Sequence, residues 1–282
     1  MYETILYEVS AGVARITMNR PDKYNAFTGR MIAEMIAAFR QAGKDEAVRC
    51  IILTGAGKAF NAGQDLGDVP GADGQTGQTA QTAQTADGKA ADGQAAAGNH
   101  GDMLRSRYNP LITQIRNTEL PVIASVNGVA AGAGMSLALA CDLRVMSERA
   151  YFVSAFVNIG LVPDSGGCYF LPRLVGLAKA MEIATIRDRV TAEEAHRIGL
   201  VNRICSAERL DEEADALAAK LAQLPTRAVG LMKRTMNRGL EMDLAQTLEQ
   251  EAYAQEIAGR TEDHREGMQA FLEKRTPVFK GV

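Results

Sequence analysis

Two glycine-bearing turns and one carboxylate stand out in the sequence as groups that could do chemistry together. The first turn is Lys58-Ala59-Phe60-Asn61-Ala62-Gly63-Gln64-Asp65-Leu66; the second is Asn127-Gly128-Val129-Ala130-Ala131-Gly132-Ala133-Gly134-Met135-Ser136. Each follows an apolar run, and the second opens into Leu137–Ala140, which reads as helix. Small residues let a ligand reach the backbone, and free N–H groups at a helix start favour a negative oxygen. Two such turns converging on one point would form an oxyanion hole; the plainer reading is a pair of packing turns. The carboxylate is Asp164, between Leu161-Val162-Pro163 and Ser165-Gly166-Gly167. It reads either as a base or as the N-cap of a helix over 165–171. A helix N-terminus would lower its pKa, burial beside Phe156 would raise it, and a proton shuttle needs the raised value.

Other chemistries find no footing. Gly55-Ala56-Gly57-Lys58 is not a phosphate loop, because Ile52 and Ala59 stand where that motif needs Gly and Ser or Thr. The turn at Gly128–Gly134 does not spell GxGxxG, and no GxSxG elbow surrounds Ser136 or Ser165. The three histidines are His100, in a low-complexity stretch, and His196 and His264, in polar helical stretches. His196 and His264 read as solvated, and none of the three lies close to a site motif or at metal-ligand spacing. No metal is expected. Cys50, Cys141, Cys168 and Cys205 form no CxxC and read as reduced thiols of a cytoplasmic protein.

The elements that would position these groups form an α/β pattern. Residues 4–9 and 12–18 flank Ser10-Ala11-Gly12 and read as a hairpin. Thr28 is a plausible N-cap for a helix carrying Ile32, Met35, Ile36 and Phe39. Strand-like runs occupy 49–54, 59–65, 121–126 and 143–146. Met31, Met35 and Met181 read as core. Charges bordering the apolar runs, Asp142, Arg144 and Arg173, could pair structurally or line a channel. From Ala207 onward the pattern is helical, over 207–223, 226–239, 243–259 and 262–273. The expected division is a core of residues 1–205 carrying the site and a C-terminal helical region, 206–282.

Composition bounds the function. The chain has 282 residues, 46% hydrophobic and 23% charged, with net charge −3, the profile of an ordinary globular protein. No basic field points to nucleic acid or an anionic membrane. No apolar run reaches the roughly 18–20 residues of a membrane helix, and the N-terminus shows no signal peptide. Residues 71–101 contain no Val, Ile, Leu, Met, Phe, Tyr or Trp and repeat Gln-Thr-Gly/Ala, so they read as a surface insertion rather than an ordered lid.

The sequence resembles the crotonase (enoyl-CoA hydratase/isomerase) superfamily. The resemblance is carried by Asn19-Arg20-Pro21, by residues 58–66, by Pro121–Gly128 with the glycine turn after it, by Ile159–Gly167 and by Arg265–Arg275. It implies a spiral of ββα units with a C-terminal helical trimerisation region, a homotrimer or hexamer, and an acyl-coenzyme A substrate with no separate cofactor. It implies oxyanion donors at the backbone N–H groups of Gln64 and Ala133, where Ala133 replaces the family's usual Gly. It places adenine near Ala62 and a phosphate contact at Lys23. Gly63, Asp65, Leu66, Gly132 and Phe156 complete the implied binding set. Phe279 and Lys280 match positions that approach the coenzyme from a neighbouring subunit.

Hydratases of that superfamily use two glutamates, at positions where this chain has Ser136 and Phe156. One remaining carboxylate, Asp164, suits a one-base shuttle that moves an enoyl double bond. The Val-Pro-Asp-Ser-Gly-Gly motif is similar to the ring-1,2-epoxyphenylacetyl-CoA isomerases of phenylacetate breakdown. Three alternatives stay open: an enoyl-CoA hydratase, an acyl-CoA dehalogenase or hydrolase with Asp164 as nucleophile, and a non-catalytic CoA binder. The second lacks a nearby His and the Trp expected of a halide pocket.

Overall fold

A computed structural model describes residues 1–65, 67 and 100–282. Leu66 and residues 71–99 of the low-complexity segment lie outside the described residues. The chain opens with β1 (Ile5–Ser10) and β2 (Val13–Met18), paired antiparallel through Ser10↔Val13. The two turn residues, Ala11 and Gly12, have φ of 49° and 79°. Both are left-handed, as a turn matching the strand twist requires. In β2 the alternate residues Ala14, Ile16 and Met18 are buried. Next comes α1 (Gly29–Lys44), where the Thr28 side chain accepts from the Met31 N–H and Met31, Met35 and Phe39 face the core.

From there a strand–strand–helix unit repeats. The first unit is β3 (Cys50–Gly55), β4 (Ala59–Asn61), then α2 (His100–Met103), a π-helical turn over Leu104–Tyr108, and α3 (Asn109–Asn117). The second is β5 (Val122–Val126), β6 (Val129–Ala131) and α4 (Ala133–Ala140). The third is β7 (Leu143–Ser147), β8 (Tyr151–Val153) and α5 (Gly167–Val175), extended by α6 (Leu177–Thr185). The chain then forms β9 (Val190–Thr191), α7 (Ala192–Arg197) and β10 (Arg203–Cys205). It ends in α8 (Leu210–Ala222), α9 (Thr226–Gly239), α10 (Leu244–Ala258) and α11 (Glu262–Glu273).

Each unit sends its first strand to a six-stranded sheet, ordered β1-β2-β3-β5-β7-β10, and its second to a four-stranded sheet, ordered β4-β6-β8-β9. The chain therefore advances as a spiral, with β3, β5 and β7 parallel in one ladder and β4, β6 and β8 parallel in the other. Strands β3 and β5 are buried throughout, which is why they read as unbroken apolar runs. One face packs on α1, α3 and α4; the other, through Cys50, Ile52, Ile123 and Val145, meets Leu210, Ala214, Leu217 and Ala218 of α8. Helix α10 buries none of its residues.

Several boundaries differ from the sequence reading. The strand read over 59–65 stops at Asn61, where the chain turns along the site. The helix read from Leu137 begins at Ala133, and the one read from Ser165 begins at Gly167. The stretch 207–223 divides into a 3-10 turn over Ala207–Arg209 and α8. Met181 is 55% exposed on α6 rather than core.

Candidate active site

The two turns are built against each other. A Cβ placed on Gly63 would lie 3.1 Å from the Ala131 carbonyl oxygen and 3.8 Å from the Ala133 nitrogen. One placed on Gly134 would lie 2.6 Å from the Asn61 Oδ1 atom, which accepts the Gly63 N–H at 2.8 Å. The small residues of the sequence motif are thus the condition for β4 and the start of α4 to touch. Asn61, fully buried, is the polar pin between them, and its amide also donates to the Asn25 carbonyl.

The first turn is aimed by Phe27. Its N–H donates to the Gly63 carbonyl at 2.7 Å, and its carbonyl accepts the Asp65 N–H at 2.9 Å. This parallel bridge uses the groups on either side of Gln64 and turns the Gln64 N–H away from Phe27. In the second turn Gly132 adopts φ 52°, ψ −122°, a conformation closed to residues with a Cβ. Its own N–H is held by the Val153 carbonyl at 2.9 Å, and Ala133 follows as the first residue of α4. A first-turn N–H has no intrahelical partner. Neither the Gln64 nor the Ala133 N–H has an acceptor among the described residues.

The start of α5, three residues after Asp164, packs against the same helix. A Cβ on Gly167 would lie 2.8 Å from the Ser136 Oγ and 3.0 Å from the Pro163 Cβ. Ser136 is three residues after Ala133, one turn along the same face. Phe156, 8% exposed, presents its ring to Gly132, with ring carbons 3.8–4.0 Å from a Cβ built there. The Phe156 carbonyl accepts the Leu161 N–H at 3.0 Å, which ties Phe156 to the start of the Asp164 loop. Thus the positions of both hydratase glutamates fall at the site, and a serine and an apolar ring fill them.

Asp164 does not cap α5. The cap position belongs to Gly166, in left-handed conformation, and no side chain bonds the helix start. The preceding Ser165 is itself left-handed at φ 52° and 4% exposed, and its hydroxyl donates to Asp164 Oδ1 at 2.9 Å. Burial pushes the Asp164 carboxyl above its ordinary 3.8, against smaller lowering effects from the Ser165 hydroxyl and the charge of His100. His100 is exposed on α2 and stands within electrostatic reach of Asp164, so, against the sequence reading, one histidine does act on a site motif. Of the six non-glycine left-handed residues among the described ones, Tyr24, Asn25, Ala155 and Ser165 all sit in loops that build the site. Such strain concentrates where geometry is over-determined.

The remaining predicted residues divide into two groups. Asp65 is half-buried and paired with Arg20 at 2.8 Å. Burial alone would raise its carboxyl, but the Arg20 hydrogen bond, the Gly67 N–H and the charges of Arg20 and Lys23 hold it below the ordinary value. Lys23, at the end of the 3-10 turn Pro21–Lys23, and Ala62 are exposed beside this turn. Phe279 and Lys280 lie elsewhere. The Phe279 carbonyl accepts from Arg49 at 2.7 Å and the Lys280 N–H donates to Asp263, at the end of β3 opposite the site turns. The chain's own site does not include them. Tyr108 was not read from the sequence: it is 3% exposed, and its hydroxyl donates to the Gln64 side-chain carbonyl. Its partner is 44 residues away, and no local pattern marks it. His196 and His264 are exposed. Among the described residues no group of His, Cys, Asp or Glu could hold a metal ion, and no helix is long and apolar enough to cross a membrane.

The ββα spiral thus brings together two glycine turns whose Gln64 and Ala133 N–H groups have no acceptor among the described residues, with a carboxylate of raised pKa on the loop before α5. The family model for enoyl-CoA hydratase/isomerase matches residues 8–92 and 83–282. The chain is 39% identical over 281 residues to the 1,2-epoxyphenylacetyl-CoA isomerase of Escherichia coli (strain K12), covering 100% of both. It is 42% identical over 280 residues, 99% of both chains, to a Rhodobacter capsulatus protein named "Probable enoyl-CoA hydratase". The crystal structure of the enoyl-CoA hydratase from Bacillus anthracis superposes with a TM-score of 0.85 at 32% identity, covering 99% of this chain and 100% of that one. The chain belongs to the enoyl-CoA hydratase/isomerase family and has the crotonase fold.

Proposed function

We propose that the protein is an acyl-CoA isomerase that shifts an enoyl-CoA double bond with one carboxylate. The thioester oxygen sits between the Gln64 and Ala133 N–H groups. Asp164 takes a proton from C2 of a 3-enoyl-CoA, the C2–H electrons flow into the thioester, and the dienolate charge rests on the oxygen. The same carboxyl returns the proton to C4, leaving the double bond between C2 and C3. The donors stabilise the enolate, by roughly 3–4 kcal/mol for each one. The observation that carries this reading is Asp164, among the described residues the one carboxylate held above its ordinary value, in a chain that has a serine and a phenylalanine at the two glutamate positions. Two carboxylates would be needed to activate and deliver water; one suffices to carry a proton. No cofactor is called for beyond the coenzyme A of the substrate.

The E. coli relative supports a narrower assignment, the ring-1,2-epoxyphenylacetyl-CoA isomerase branch. The binding set of this reading is Lys23, Ala62, Gly63, Asp65, Leu66, Gly132 and Phe156. A homotrimer or hexamer is part of the reading: α9 and α10 expose Met232, Met236, Leu244, Leu248, Tyr253 and Ile257. In such an assembly Phe279 and Lys280 would serve a neighbour's coenzyme, since they do not reach their own site. Hydration is favoured by the names of several relatives, and a nucleophilic role for Asp164 by the nearness of His100.

Purified protein given a 3-enoyl-CoA should produce the conjugated 2-enoyl-CoA, seen as a rise in thioester-conjugated absorbance. Hydration of a 2-enoyl-CoA in its place would overturn the isomerase reading. Halide release from a halobenzoyl-CoA would establish the nucleophilic one.

A further inference from the structure

The segment Gly63–Asp65 is anchored by the Asn61 side chain, by the Phe27 backbone bridge and by the Arg20–Asp65 ion pair, all described above. A further anchor is Tyr108. It ends the π-helical turn Leu104–Tyr108, set between α2 and α3. Such turns are rare and cluster at functional sites, because the widened turn re-aims one side chain. Here it aims a phenol into the protein, where its ring meets the Phe27 ring edge-on, with centroids 5.5 Å apart and planes at 89°. Its hydroxyl donates to the Gln64 side-chain carbonyl. The Gln64 amide nitrogen in turn donates to the Asp65 carbonyl at 3.0 Å. The side chain of Gln64 is thus tied at both ends, and the backbone N–H between those ties is the one the proposed function points at the thioester oxygen.

We propose that Tyr108 is a positioning residue: through the Gln64 side chain it fixes the direction of the Gln64 N–H in the oxyanion site. The proposal rests on the oxyanion role given to Gln64 above. Donors that need no reorganisation when charge develops are what make such sites effective. Loosening one would act on the transition state more than on ground-state binding, which the coenzyme portion dominates.

The test uses Tyr108→Phe, which keeps the ring and its Phe27 contact, and Gln64→Leu, which removes the acceptor from the other side. The probe is hexanoyl-CoA labelled with carbon-13 at the thioester carbonyl, a saturated ligand that cannot isomerise. In wild type the bound carbonyl stretch should fall below its solution frequency. Both variants should bring back part of that shift, and the double variant should bring back no more than either alone. In turnover of a 3-enoyl-CoA, kcat should fall about tenfold with KM changed by less than about twofold. A carbonyl band and a kcat unchanged in Tyr108→Phe would make the phenol a packing group and overturn the proposal. A shifted wild-type band without isomerisation would overturn the proposed reaction alone, and the variants' bands would still decide Tyr108. A wild-type band that stays at its solution frequency would overturn both.

Discussion

The two ends of α4 are built on opposite terms. At its start every device keeps backbone N–H groups uncovered: Gly132 turns the chain, Ala133 and Gly134 add almost no bulk, and the Ala133 N–H has no acceptor among the described residues. At its end two backbone carbonyls are covered by cations. Arg116 donates to the Ala140 carbonyl at 2.9 Å and Arg144 to that of Cys141 at 2.7 Å. Asp142 lies between Arg116 and Lys233, at 3.3 and 2.7 Å, and Lys233 donates to the Ile115 and Leu120 carbonyls. Burial lowers the pKa of Lys233, and the Asp142 charge and hydrogen bond offset this. Cations at a helix C-terminus complement its dipole. One end leaves its first N–H without an acceptor among the described residues, and the other has two carbonyls covered from within. Substitutions at the two ends should therefore separate function from stability.

Gly132→Ala should show the largest effect on activity. Its φ, ψ are strained for any residue with a Cβ, so the turn must relax and carry the Ala133 N–H off line. Losing one donor predicts a fall in kcat of about 10²-fold or more. Steady-state kinetics beside a thermal melt would check this, with the strain lowering Tm but the protein still folded at the assay temperature, so that the loss of kcat belongs to the folded state. Asp142→Asn should do the reverse. It leaves Arg116 and Lys233 without their counter-charge, and we expect a loss of about 3 kcal/mol in stability with kcat of the folded protein preserved. Denaturant titration measures it, and a parallel collapse of kcat would erase the distinction between the ends.

The smallest effect belongs to Ser165→Ala. The Asp164 carboxyl is raised by burial and only the ionised form can accept a proton, so kcat/KM should climb as pH passes upward through that raised value. Stability runs the other way. The folded chain holds this proton more tightly than the unfolded one, so the contribution is complete below about 3.8 and is lost as pH rises through the folded value. Removing the Ser165 hydroxyl takes away a lowering influence, so the acid limb should move upward. A pH–rate profile that does not move, or moves down, would detach Ser165 from the carboxylate.

What the sequence made legible follows from range. The hairpin, α1 and β3 announce themselves because turn chemistry, capping and periodicity act within a few residues. The short strands β6, β8 and β9 were not legible, since two or three residues become a strand only through a partner in another unit. Helix α4 lacks any periodicity because all eight of its residues are buried, so its true start at Ala133 carried no amphipathic signal. Asp164 could be read as a cap because the left-handed backbone of Ser165, which with that of Gly166 delays the helix to Gly167, leaves no mark in residue type. The two glycine turns were readable as motifs. Their contact was not, and neither were Asn61, His100 or Tyr108, each of which acts across long sequence separation. Met181 looked like core because helical spacing cannot say which face of α6 meets the protein.

The most direct test pairs wild type with Asp164→Asn on a 3-enoyl-CoA, with binding of a saturated acyl-CoA followed for both. Asparagine keeps the shape and removes the base, so isomerisation should fall by about 10²–10⁴-fold while acyl-CoA affinity is retained. Isomerisation at the wild-type rate in Asp164→Asn would contradict the assignment of Asp164 as the proton carrier.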